Sequence, residues 1–382
     1  MVSILNHINL KELNKAIEEV KQNENDSIKQ VNLSFDWLTK GKRQFNAKLF
    51  FEKGSQDLFV DNSKMTGGKG NAPNPLDICN FSFAAMFTST FATLCSLKGI
   101  LIKKLKIRST LEFEFLKVTG VDMSKKPINS FSIILSVFSD HNSKEELEEI
   151  FELTKKRCPI TFMAENSISV TTKTTVQTRT PKKETNTKKI NNINMDQVLE
   201  SRDYLKRNPN ESIVPCIIEG EWICDKNEGP QFSALITYGN GKTHKFFTDS
   251  RILLGGESSY PFPVQYFLAG ISCCLLTHYA YASSLRGFQL EHLSIESQLD
   301  ENINAEFGLN QNEVIPHLSF HFDVGTDQTV DVAREITEDC ILRCPIMCLM
   351  LNKINVDTEL LVNQSFTHTY EFGNSEKKCF FM

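Results

Sequence analysis

The chain has 382 residues, 40% hydrophobic and 23% charged, a globular composition that excludes a fibre or a disordered polymer. Its net charge of −5 gives no electrostatic pull toward nucleic acid or an anionic membrane surface. Eleven cysteines, an odd number at irregular spacing, argue against a disulfide framework and for a reducing compartment.

The N-terminus Met1-Val2-Ser3-Ile4-Leu5 carries no basic, apolar leader. No run is expected to reach the roughly 18 apolar residues of a membrane span. The expected location is the cytoplasm, with mitochondria as the alternative. Leu10, Leu13, Ile17 and Val20 then mark an amphipathic helix. Strands are expected at 31–35 and 45–51. After the Gly67-Gly68 loop, Pro75 opens a long apolar helix that runs to Leu97 and stops at Gly99. It is apolar nearly all round, so it belongs at the centre of the fold. Strands at 103–116 and 131–138, a helix at 143–154, the triplet Arg157-Cys158-Pro159 and a last strand complete this half.

The same order then repeats. Met195, Val198 and Leu205 mark the amphipathic helix, stopped at Asn208-Pro209. Strands are expected at 215–222 and 232–238, the latter ending at the turn Gly239-Asn240-Gly241. Gly255-Gly256 precedes the second apolar helix, Pro263 to Leu285, stopped at Gly287. Strands at 291–299 and 317–324, a helix at 330–342, Arg343-Cys344-Pro345 and a closing strand follow. Asp61, Gly67, Pro75 and Gly99 recur at Asp249, Gly255, Pro263 and Gly287, each 188 positions on. The two tryptophans, Trp37 and Trp222, also correspond. A period this long is a duplicated domain, not a solenoid of about 20–50 residues per unit.

The expected domains are 1–170 and 191–366, with a tail at 367–382. Residues 171–190 hold eight Thr, six Lys or Arg and one acid, and are expected to be a flexible basic tether. Cys274 lies eleven positions after Pro263, whereas the first half has Met86 there.

The ordered set of Gly-Gly loop, Pro-opened apolar helix with an internal Cys, strands, helix and Arg-Cys-Pro resembles the OsmC/Ohr family, the osmotically inducible and organic-hydroperoxide-resistance proteins. The resemblance covers nearly the whole chain, twice. It implies an α+β fold in which an antiparallel sheet wraps a long central helix, here as an intramolecular pseudo-dimer. It implies a thiol peroxidase, with Cys274 attacking the peroxide and Cys344 resolving the sulfenic acid as a disulfide. In the first half the corresponding positions are Met86 and Cys158, so at most one site is intact.

The family places a glutamate directly after the helix-opening proline, where this chain has Leu76 and Val264. The family arginine that activates the thiolate has its nearest match in Arg43, expected to serve Cys274 across the pseudo-dimer. Arg343 adjoins Cys344 but should point elsewhere. Cys340, Cys344 and Cys348 are spaced by four, yet Pro345 and the lack of a histidine argue against zinc. No metal or nucleotide cofactor is implied; an active enzyme would draw on a lipoyl- or thioredoxin-like dithiol. The expected partner is then a small hydroperoxide, not a nucleic acid. The rival reading is a non-catalytic scaffold or accessory subunit of a larger assembly. The terminal Cys379-Phe380-Phe381-Met382 after Lys377-Lys378 has the form of a prenylation box.

Overall fold

Two 23-residue helices, Pro75–Leu97 and Pro263–Leu285, form the centre of the molecule, beginning at the predicted prolines. Asn74 caps the first by accepting the N–H groups of Leu76 and Asp77, while the Asp77 carboxylate accepts from the Asn74 N–H at 2.9 Å. Gly99 and Gly287 stop the helices at φ +74°, a conformation that costs glycine little. By length and composition Pro75–Leu97 does qualify to cross a membrane, contrary to expectation; here nearly all of it is buried in the protein core.

The helices pack directly against each other. They are in tight contact at Gly270, where an added Cβ would lie 2.5 Å from Cys79 Sγ and 2.9 Å from Pro75 O. Its counterpart in the repeat, Ser82, donates from Oγ to Pro263 O at 2.7 Å.

In the computed structural model, residues 3–23, 27–140, 143–180, 188–239, 241–310 and 313–366 are described. Their main sheets are built from both copies. In the six-stranded sheet the order is Lys242–Thr248, Phe232–Tyr238, Ile213–Trp222, Lys104–Glu114, Ile128–Phe138, Asp357–Val362. The five-stranded sheet runs Phe45–Asn46, Ile28–Trp37, Leu290–Asn302, His317–Thr326, Val170–Thr178. The seams between copies are long antiparallel ladders, from Ile213↔Glu114 to Trp222↔Leu105 and from Asn302↔Ile28 to Ser294↔Asp36. Val31, Leu33, Phe35 and Trp37 alternate inward, as a strand buried on one face requires. The α+β class and the paired central helices agree with the sequence expectation; each of the two main sheets, however, draws strands from both repeats.

The basic tether needs correction. Val170–Thr178 is an edge strand, paired in parallel with His317–Thr326 of the other copy. Asp357–Val362 pairs in parallel with Ile128–Phe138 in the same reciprocal way. Threonine is a good strand residue, and Thr175 Oγ1 lies 2.8 Å from His321 Nε2 across the pair. Residues 181–187 of the tether and 367–382, with Cys379, lie outside the described residues.

Each copy opens with a tight hairpin turning at Asn6-His7 and at Asn191-Asn192, all four at positive φ. The corresponding tryptophans lock these turns across the copies. Trp222 Nε1 donates to Asn6 O at 2.9 Å and Trp37 Nε1 to Asn191 O at 2.8 Å. The two halves are therefore joined by reciprocal buried bonds as well as by the shared sheets.

Candidate functional site

Helix Val330–Arg343 ends at Cys344, because Pro345 cannot continue it and instead opens the short helix Pro345–Leu351. Cys344 takes extended backbone angles (φ −67°, ψ 115°) at this break. Its Sγ lies 3.2 Å from Cys274 Sγ, which projects from the middle of the second central helix. Both side chains are buried. The structure thus brings together the two sulfurs singled out from sequence, and closing a bond of about 2.05 Å between them needs only a small shift.

Burial pushes the Cys274 thiol well above the usual thiol range, and the neighbouring Cys344, Cys79 and Cys340 act in the same direction. Among the described residues, no cation is among the groups that chiefly act on it. Arg43, expected to supply that charge, is exposed and lies over the Phe59 ring at 4.5 Å. Its backbone carbonyl accepts from Asn192 Nδ2 at 2.8 Å, which ties the hairpin to the opposite copy and not to the thiol. Arg343 Nε donates to Asp339 Oδ1 at 2.7 Å and its guanidinium packs at the Gly120 turn, away from Cys344. Cys340 Sγ donates to Leu275 O at 3.0 Å, an ordinary helix-packing bond.

Cys274 lines a cavity of about 1440 Å³ walled by the second central helix, the start of the first and strands of the six-stranded sheet. Much of its wall comes from the first copy, including Asn62, Phe113, Phe115 and Val118. Leu76 stands there where the family has its glutamate, but the next residue, Asp77, is an acid in the same wall. Asp77 accepts from Cys216 Sγ at 3.3 Å, and burial raises its carboxyl to about 6. Arg108, a buried cation on a strand whose apolar residues alternate with polar ones, also lines the cavity. Its Nε donates to Glu219 Oε1 at 2.8 Å, and the Phe366 ring covers its guanidinium at 4.6 Å. His278, one helical turn after Cys274, completes this end. Burial, then the charge of Arg343, lowers its imidazole to about 3, so it is neutral at physiological pH.

Asp77, Arg108, Glu219 and His278 were missed from sequence. His278 left a signal, a histidine four residues after a helix cysteine, whereas Arg108 falls in register with Lys104, Lys106 and Glu112 and reads as an ordinary polar-face residue. What could not be read is that residues from both repeats meet in one cavity.

The corresponding region of the other copy is different. Met86 replaces the thiol and is buried, and burial pushes Cys158 up to about 12. Where the open side has Ser63, Phe113 and Val118, this side has Arg251, Glu301 and Glu306. Arg251 pairs with Glu301 at 3.5 Å and stacks on Phe262 at 4.2 Å. The space left beside Thr90 and Glu306 is about 20 Å³.

A family model described as OsmC-like protein matches residues 68–173 and 255–359, more than half the chain. The chain therefore belongs to the OsmC-like family and carries two of its domains in tandem. No curated protein matches it. Among solved structures it is similar to an organic hydroperoxide resistance protein OsmC, a predicted redox protein and regulator of sulfide bond formation from Legionella pneumophila. That similarity is 17% identity over 34% of this chain and 85% of that chain, with a TM-score of 0.24.

Proposed function

We propose that the chain is a single-site, thiol-dependent hydroperoxide reductase. The reading is carried by one observation: the Cys274 and Cys344 sulfurs lie 3.2 Å apart with Cys274 on the wall of a large cavity. In the first step Cys274 sulfur attacks a peroxide oxygen and the O–O bond breaks. The thiol proton passes to the departing alkoxide, giving an alcohol and Cys274 sulfenic acid. Cys344 then attacks that sulfur, water leaves, and a disulfide forms. A dithiol of lipoyl or thioredoxin type would restore both thiols by exchange.

A second reading, a non-catalytic scaffold serving as an accessory subunit, is favoured by the protonated state that burial imposes on Cys274, with no cation among the described groups that chiefly act on it. Stopped-flow oxidation with tert-butyl hydroperoxide and mass mapping separate the two. The peroxidase reading expects Cys274 to react faster than a free thiol and a Cys274–Cys344 bridge to appear. It also expects Cys344→Ser to leave a sulfenic acid that dimedone traps. If Cys274 reacts no faster than free cysteine and no bridge forms, the scaffold reading stands.

A further inference from the structure

The copy that carries Cys274 also carries two further thiols that the other copy lacks. Aligned on the Arg-Cys-Pro triplets, Cys340, Cys344 and Cys348 stand where the first copy has Thr154, Cys158 and Phe162. The copy with Met86 thus has one thiol in this segment, and the copy with Cys274 has three, about a helical turn apart. They differ in depth. Cys340 and Cys344 are fully buried, and Cys340 is committed to packing through its bond to Leu275 O. Cys348 is half-buried, one turn into the short helix Pro345–Leu351. Its Sγ accepts from Asn352 Nδ2 at 3.3 Å. Burial, and to a lesser extent Cys344, raises its thiol, while Asn352, Lys117 and Lys126 act in the opposite direction.

A disulfide between Cys274 and Cys344 leaves its sulfurs inside the protein, on residues that are 3% and 0% exposed. A small dithiol can approach Cys274 from the cavity, but a cysteine presented on the surface of a folded protein reaches neither sulfur. Cys348 lies one turn from Cys344, and its N–H donates to Cys344 O at 3.1 Å. Side chains four apart on a helix have Cβ atoms about 5–6 Å from each other, and a disulfide needs about 3.5–4.5 Å. Closing that gap requires the first helical turn to tighten by about 1–2 Å. Cys344 is suited to this, because it takes extended angles as the N-cap and the following Pro345 has no N–H to lose.

We infer that Cys348 is a relay thiol, and that the reductant it serves is a folded protein carrying a reactive dithiol. The inference rests on the Cys274–Cys344 pairing of the proposed reductase. The Cys348 sulfur attacks the Cys344 sulfur of the Cys274–Cys344 bridge. That bond breaks, a Cys344–Cys348 bond forms, and the proton lost by Cys348 ends on Cys274. One thiol of the partner then attacks the half-buried Cys348, giving a mixed disulfide and the Cys344 thiol. The partner's second thiol attacks the mixed disulfide, which releases Cys348 as a thiol and leaves the partner oxidised. Two electrons and two protons have then passed from the partner to Cys274 and Cys344.

For the test, the full chain is oxidised with diamide, which joins neighbouring thiols without peroxide chemistry, and its bridges are mapped by non-reducing mass spectrometry. We expect a mixture of Cys274–Cys344 and Cys344–Cys348 bridges. Reduction is then timed with thioredoxin and with dithiothreitol for the wild-type chain, Cys348→Ser and Cys348→Phe. The phenylalanine is the residue the fold already accepts at this place in the first copy. Both substitutions should slow thioredoxin at least about tenfold and dithiothreitol by less than about twofold. A thioredoxin variant lacking its second cysteine should be caught as a mixed disulfide on Cys348. Absence of either bridge, equal slowing of both reductants, unslowed thioredoxin, or capture on Cys274 would each overturn the inference. If the relay works in diamide-oxidised protein that tert-butyl hydroperoxide fails to oxidise, the peroxidase reading alone falls.

Discussion

Gly270 offers the sharpest test of how the two halves meet. Helix propensity alone predicts that Gly270→Ala stabilises the chain by about 1 kcal/mol, since alanine is the better helix former. The packing predicts the opposite. The new Cβ would sit 2.5 Å from Cys79 Sγ, 2.8 Å from Cys79 N and 2.9 Å from Pro75 O. A sulfur on a short side chain has little room to retreat, and two of the three atoms are backbone, so relief requires the helices to part. Overpacking of this kind costs about 1–3 kcal/mol, and displaced backbone belongs at the upper end. Net destabilisation of about 1–2 kcal/mol is expected, read as a lower urea midpoint at unchanged slope. Adding Cys79→Ala should recover part of the loss, because it removes the sulfur contact and leaves the backbone ones. Gly270→Ala as stable as the wild-type chain, or more so, would refute the close crossing of the two central helices.

Two further predictions concern titration. Glu306 has its carboxyl raised to about 8, by burial first and by Glu301 second, from an ordinary 4.5. The folded state therefore holds this proton more tightly than the unfolded chain does. Its contribution to stability is complete below about 4.5 and is lost as pH rises through about 8. Glu306→Gln should gain stability over the wild-type chain progressively between about pH 5 and pH 8, and a pH-independent difference in urea midpoint would contradict this. Cys274 should be alkylated by iodoacetamide at least about tenfold more slowly than a free thiol near neutral pH, with a rate still rising above about pH 9. Modification at the free-thiol rate would show that the sulfur is neither buried nor held protonated.

The central helices were legible because their ends are written in residues with strict backbone preferences. Pro75 and Pro263 suit a first helical turn, and Gly99 and Gly287 adopt the left-handed turn that ends one. The matched tryptophans were visible as a correspondence, but not as locks on the opposite copy's hairpin. Val170–Thr178 was misread because a polar, basic stretch has no local reason to order. Its reason lies in a partner strand, His317–Thr326, far along the chain. The same distance effect hid the site. Cys274 and Cys344 are recognisable within one repeat, whereas Arg108 and Glu219 face each other only after a strand from each copy has been laid side by side. Arg43 misled for the converse reason: its hairpin position suggested a shared site, but its side chain found Phe59 on its own copy.

The half with Met86 in place of the thiol builds much of the wall around Cys274: Asn62, Phe113, Phe115 and Val118 all belong to it. It is consequently not a vestige that a later deletion could trim. Removing it would strip the pocket of its lining and leave each shared sheet without its inner seam. Mutational drift in the first repeat is thus split by location. Its own central-helix position carries Met86, while residues facing the neighbour line a cavity whose cysteine they do not carry. A duplication of this design cannot be undone by loss of either copy, and the pair must be inherited as a unit.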